Sequence, residues 1–125
     1  MHIHHTAITV RSLTESIAFY SEIFGLVVVQ EGERVDLGCK IVQMADEKGI
    51  ILELFEFQNA GPLVRPVELN QEGITHIAFA VDDIETTAED FAKKGFAADI
   101  ITGKMARYFF IKDPTGVNIE LYEKL

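Results

Sequence analysis

Two stretches of the chain repeat one pattern of apolar and polar positions, and each predicts the order strand, helix, strand, strand, strand. The first passes from an alternating segment, His5–Val10, into a helical segment that stops at Gly25. The second passes from His76–Val81 into a helical segment that stops at Gly95. Because the spacing from histidine to glycine is almost the same in both, we interpret the stretches as two copies of a βαβββ module.

Both helices are predicted from the residues that begin and end them. Ser12 with Glu15 forms a capping box, and Gly25 is a typical residue to end the first helix. Either Asp82 or Asp83 can cap the second. The apolar positions recur at spacings of three and four, at Leu13, Ile17, Tyr20 and Phe24 in the first helix and at Ile84, Ala88 and Phe91 in the second.

Short apolar runs predict the remaining strands. They are Leu26–Gln30, Lys40–Met44 and Ile50–Phe57 in the first module, and Ala98–Thr102, Tyr108–Lys112 and Val117–Glu123 in the second. The fold class is therefore α+β, built from two tandem modules that include residues 1–58 and 74–125.

Segment 59–73 contains Gly61-Pro62 and Arg65-Pro66 and shows no regular period, so it predicts a loop that connects the modules. A module of roughly 60 residues can bury only a limited apolar surface by itself. We therefore expect the modules to close together, or to pair with a second chain, as one domain of residues 1–125.

The net charge of the chain limits the classes of partner that it is expected to bind. Its 125 residues include 11 Lys and Arg against 20 Asp and Glu, for a formal net charge of −9. This balance argues against nucleic acid or a membrane as a partner.

The single cysteine, Cys39, cannot form an internal disulfide. With no signal-peptide pattern and no apolar run near the roughly 18 residues of a membrane span, we expect a cytoplasmic location.

One histidine and one glutamate occupy equivalent places in the two modules. His5 and His76 stand at the first strands, and Glu53 and Glu120 lie in a shared motif, G-x-x-x-E-L-[FY]-E, of the last strands. A lone histidine or glutamate on a strand is more often structural than a ligand. An unpaired carboxylate among the apolar neighbours of Glu53 would, however, be costly to desolvate. The two pairs together suit a divalent transition metal such as Ni, Zn, Co, Fe or Mn.

Three longer motifs carry a resemblance to a known family. They are H-x-x-x-x-V…S-I-x-F-Y…G-L from His5 to Leu26, G-I-x-H-I-A-F-x-V-D-D from Gly73 to Asp83, and D-P-x-G-x-x-I-E-L from Asp113 to Leu121. Together they resemble the vicinal oxygen chelate superfamily, which includes glyoxalase I, the bleomycin-resistance proteins and dioxygenases. The resemblance implies a U-shaped mixed sheet around a metal, with helices outside. The sheet would close within one chain or across a homodimer, and the cleft would bind a small-molecule substrate.

The ligand pattern is similar to that of glyoxalase I (lactoylglutathione lyase), whose His, Glu, His, Glu set matches His5, Glu53, His76 and Glu120. That likeness implies a lyase or isomerase acting on a hemithioacetal or another α-hydroxycarbonyl compound through a metal-stabilised enediolate. Glu120 would be the base and Glu53 its opposing partner. One alternative is an extradiol-type dioxygenase that uses only His5, His76 and Glu120. Another is a metal-free, ligand-binding resistance protein, although such proteins generally lack these ligands.

The resemblance leaves the co-substrate open. Glutathione-dependent members commonly have an arginine where this chain has Thr9, so glutathione or another thiol is not assigned. Arg65, Lys104 and Arg107 are candidates to anchor an anionic substrate, although basic surface residues are more often simply solvated.

Overall fold

The computed structural model describes residues 1–49, 51–61 and 68–125. The chain divides into two compact units, Met1–Leu63 and Val64–Leu125. Within the described residues, each unit contains four strands and one helix in the order strand, helix, strand, strand, strand. The predicted α+β class and the βαβββ order of each module are therefore confirmed.

The two units have the same sheet topology. The first contains β1 (His5–Thr9), α1 (Leu13–Phe24), β2 (Val27–Arg34), β3 (Cys39–Ala45) and β4 (Ile51–Phe57). The second contains β5 (Ile77–Ala80), α2 (Ile84–Lys93), β6 (Ile101–Thr102), β7 (Ala106–Lys112) and β8 (Asn118–Lys124). The strand orders are β1-β4-β3-β2 and β5-β8-β7-β6. In each sheet the first strand runs parallel to the last, and the other neighbours are antiparallel.

Both helices begin at the predicted caps. The Ser12 hydroxyl accepts a hydrogen bond from the backbone N–H of Glu15 at 3.3 Å. Of the two candidate caps for α2, Asp83 is the one that acts, because its carboxylate accepts from the N–H of Thr86 at 2.8 Å. Gly25 ends α1 with a φ of 69°, in the left-handed region that glycine reaches without strain.

Strands β2 and β6 differ most in length from their predictions. β2 extends beyond Gln30 to Arg34, because polar residues of this edge strand continue to pair with β3. β6 keeps only Ile101 and Thr102 of the predicted run, since these are the residues that pair with β7. The predicted first residue of β4, Ile50, and residues 62–67 lie outside the described residues.

The core of each unit lies on the helix side of its sheet. Leu54 of β4 and Leu121 of β8 are 0% and 1% exposed. Helix α1 packs on β4, and α2 packs on β7 and β8. Because side chains alternate along a strand, Glu53 and Glu120 point to the opposite face. In the described part of the chain, no helix is both long and apolar enough to cross a membrane.

Candidate metal centre

The strand register places the histidine and glutamate of each unit side by side. On the parallel β1–β4 pair, Ala7 lies opposite Glu53, and His5 lies two residues before Ala7. On the β5–β8 pair, Ala78 lies opposite Glu120, with His76 again two residues earlier. Residues two apart share a face of the sheet, so each histidine is directed to the same face as the glutamate on the neighbouring strand.

Each pair brings one imidazole nitrogen close to one carboxylate oxygen. The Nε2 atom of His5 lies 3.6 Å from Oε2 of Glu53, and Nε2 of His76 lies 3.2 Å from Oε2 of Glu120. The two carboxylate side chains are 14% and 13% exposed, whereas the histidine side chains are 39% and 28% exposed. The carboxylates are thus largely covered, and the imidazoles remain accessible.

The second ring nitrogen of each histidine has a partner. His5 Nδ1 lies 2.9 Å from Nδ1 of His4, and His76 Nδ1 lies 2.8 Å from the hydroxyl oxygen of Thr75. A hydrogen bond at one ring nitrogen orients the imidazole. Both rings therefore present Nε2, the atom that faces the glutamate.

The two glutamates have different cross-strand neighbours. Gln43 of β3 lies opposite Glu53, and its side-chain amide donates to Glu53 Oε1 at 2.8 Å. Phe110 of β7 lies opposite Glu120. The Phe110 ring contacts His76 edge-on, with the ring centroids 5.4 Å apart. Glu53 therefore has an amide donor as its cross-strand neighbour, and Glu120 has a phenyl ring.

Each unit supplies two of the four predicted ligands. Across residues 1–49, 51–61 and 68–125, no group of three or more His, Cys, Asp or Glu side chains is close enough to hold an ion. The donors of each pair, one imidazole nitrogen and one carboxylate oxygen, fit a divalent transition metal. Their convergence on one ion stays a prediction.

Each unit also has a cavity beside its pair. In the first unit, a cavity of about 230 Å³ is lined by residues that include Gln43, Glu53 and Arg34. In the second unit, another of about 230 Å³ is lined by residues that include His76 and Lys112. One member of each predicted ligand pair, Glu53 in the first unit and His76 in the second, therefore borders open space.

The three basic residues that are candidates to anchor an anionic substrate differ in their surroundings. Arg107 donates to Glu85 and also contacts Glu123 at 3.4 Å. Hydrogen bonding to Glu85 raises the pKa of the Arg107 guanidinium, and the same contact lowers the pKa of the Glu85 carboxyl. Arg107 therefore links the start of α2 to the sheet. Lys104 is exposed, and Arg65 lies outside the described residues.

Sequence analysis does not identify Gln43 or Thr75 as part of the site. Thr75 could have been found from its position next to His76. Gln43 is ten residues from Glu53 in sequence, and only the β3–β4 register brings the two side chains together.

Comparison with known proteins assigns the family. The family model described as the Glyoxalase/Bleomycin resistance protein/Dioxygenase superfamily matches residues 2–121. The chain is 32% identical over 127 residues to the Bacillus subtilis (strain 168) protein YwkD, covering 98% of this chain and 96% of that one. It is 30% identical over 126 residues to a probable lactoylglutathione lyase of Vibrio parahaemolyticus, covering 95% and 88%. The chain belongs to the Glyoxalase/Bleomycin resistance protein/Dioxygenase superfamily.

A solved structure agrees with this assignment. The crystal structure of a glyoxalase family protein from Enterococcus faecalis matches with a TM-score of 0.83 at 26% sequence identity. The match covers 98% of this chain and 97% of that one. The predicted glyoxalase-like fold is thus confirmed. The superfamily is named for proteins with different activities, so membership alone does not define a reaction.

Proposed function

We propose that this protein is a metal-dependent lyase or isomerase of the glyoxalase type. Its substrate would be a small α-hydroxycarbonyl compound or hemithioacetal, in which it moves a proton between adjacent carbons. The observation that carries the proposal is the duplicated pair, His5 with Glu53 and His76 with Glu120, at 3.6 and 3.2 Å. Four such ligands leave about two positions of an octahedral ion for neighbouring substrate oxygens.

The four side chains would together hold one divalent ion, Ni, Zn, Co, Fe or Mn. The pairs would be brought together by the two units of one chain or by two chains of a homodimer. A bound ion would act as a Lewis acid for the negative charge that develops on substrate oxygens when a proton leaves carbon. The orientation of both imidazoles through Nδ1 supports binding through Nε2.

Glu120 is the proposed base. Its carboxylate is largely covered, and Phe110 lies opposite it on the neighbouring strand. A carboxylate in such a place can take a proton from one substrate carbon and return it to the next. Glu53 would act as the opposing ligand.

Metal content and turnover test the proposal together. Protein purified without chelators or a nickel column should carry about one ion per four-ligand site. Reconstituted with each of the five metals, it should consume hemithioacetals made from an α-ketoaldehyde and a panel of thiols. Protein that binds no metal would contradict the proposal and favour a binding protein. Oxygen uptake with a catechol, without hemithioacetal turnover, would favour the dioxygenase with His5, His76 and Glu120 as ligands.

A further inference from the structure

The two carboxylate oxygens of Glu53 have different neighbours, because one of them accepts a hydrogen bond from Gln43. Oε1 accepts the amide N–H of Gln43 at 2.8 Å, and Oε2 lies 3.6 Å from Nε2 of His5. A hydrogen bond to one oxygen of a carboxylate orients the group and favours its second oxygen as the ligand of a metal. The oxygen on the histidine side is therefore the one available to a metal.

The second unit has no amide at the equivalent place. The β7–β8 register puts Phe110 opposite Glu120, just as the β3–β4 register puts Gln43 opposite Glu53. A phenyl ring cannot donate such a hydrogen bond, and this ring instead packs edge-on against His76. Two glutamates at equivalent positions of the two sheets thus differ in their cross-strand neighbours.

We propose that Gln43 is a positioning residue that holds Glu53 as a fixed metal ligand through a single oxygen. The inference rests on the proposed function and deepens it, because it separates a fixed carboxylate, Glu53, from one that can move a proton, Glu120. Hydrogen-bond partners of metal ligands orient those ligands, and their loss commonly weakens metal binding by about 10–100-fold.

The location of Gln43 argues for a role at the site. Gln43 and Glu53 both line the cavity of about 230 Å³ in the first unit, so their hydrogen bond borders space that a substrate can enter. Gln30 of β2 lies opposite Gln43 on the other side, lines the same cavity and is exposed. Gln30 is therefore a matched control, a glutamine on the same face one strand farther from Glu53.

Calorimetric titration of the full chain with Co²⁺ tests the inference without relying on turnover. Gln43→Met keeps the length of the side chain and removes the donor, and we expect it to weaken Co²⁺ binding by about 10–100-fold. It should also change the visible absorption spectrum of the bound Co²⁺. Gln30→Met should leave both unchanged. Gln43→Leu, measured in the same way, serves if Gln43→Met does not fold.

A double-mutant cycle distinguishes positioning from a general structural role. In a Glu53→Ala background, Gln43→Met should weaken Co²⁺ binding no further, because its acceptor is gone. In a Glu120→Ala background, its full effect should remain. Equal losses in the two backgrounds, or a Gln43→Met variant that binds Co²⁺ like the wild type, would overturn this inference alone. A wild-type protein that binds no Co²⁺ would overturn the proposed function as well.

Discussion

The two units place their histidine and glutamate with the same strand register but surround them with different side chains. Ala7 lies opposite Glu53 in one, and Ala78 lies opposite Glu120 in the other. Register is strongly specified where one face of a sheet is buried, since a slip by one residue would expose every apolar side chain. The buried leucines therefore preserve the position of each pair, and cross-strand neighbours such as Gln43 can change without moving it.

The last glutamate of the shared motif shows the same divergence on the helix side. Glu56 accepts a hydrogen bond directly from the backbone N–H of Leu13, in the first turn of α1, at 2.5 Å. The equivalent Glu123 reaches α2 indirectly, because Arg107 contacts both Glu123 and Glu85. One task, joining the last strand to the start of the helix, is thus performed by a single contact in one unit and by an ion-pair network in the other.

The largest expected effect comes from exchanging the two carboxylates for amides. Glu120→Gln should lower kcat by about 10²–10⁴-fold, the usual contribution of a general base, while the variant keeps much of its bound metal. Glu53→Gln should act mainly by weakening metal binding, so that added metal restores part of the activity. Steady-state kinetics and metal analysis of both variants make the comparison. Equal behaviour of the variants, or unchanged turnover by Glu120→Gln, would reject the division of roles.

The next largest effect concerns the buried face of the sheet, which is present in each unit. Leu54→Ala and Leu121→Ala remove equivalent leucines that are 0% and 1% exposed. Each should lower the free energy of unfolding by about 2–5 kcal/mol, from lost burial and the cavity left behind. Urea unfolding followed by circular dichroism measures both. Leu125→Ala, at a residue that is 63% exposed, is the control and should change little. A large loss in one unit only would show that the two cores are not equivalent.

The repeated modules and the Ser12 cap could be predicted from the sequence, and the cap of the second helix could be narrowed to Asp82 or Asp83. These features depend on local chemistry and on alternation, as the caps Ser12 and Asp83 show. The extension of β2 to Arg34 could not be predicted, because edge residues need no apolar alternation to pair. Sequence does not identify Gln43 for a related reason, since its contact with Glu53 depends on a register between strands that local pattern does not encode.

The smallest expected effect separates the two helix starts by pH. Ser12→Ala removes an uncharged cap and should lower the free energy of unfolding by about 1 kcal/mol, equally at pH 7 and pH 3. Asp83→Ala removes a carboxylate whose pKa is lowered, chiefly by the hydrogen bond from the backbone N–H of Thr86. A group with a lower pKa in the folded state adds stability above its unfolded pKa, about 3.9 for Asp, and loses it as the pH falls through the folded value.

The loss caused by Asp83→Ala should therefore be largest near neutral pH and shrink below about pH 4, whereas the loss caused by Ser12→Ala should stay constant. Urea unfolding of both variants and the wild type at several pH values between 7 and 3 measures the two differences. A pH-independent loss for Asp83→Ala would mean that its carboxylate charge does not contribute to the cap. The two helix starts would then differ in residue type but not in how they are stabilised.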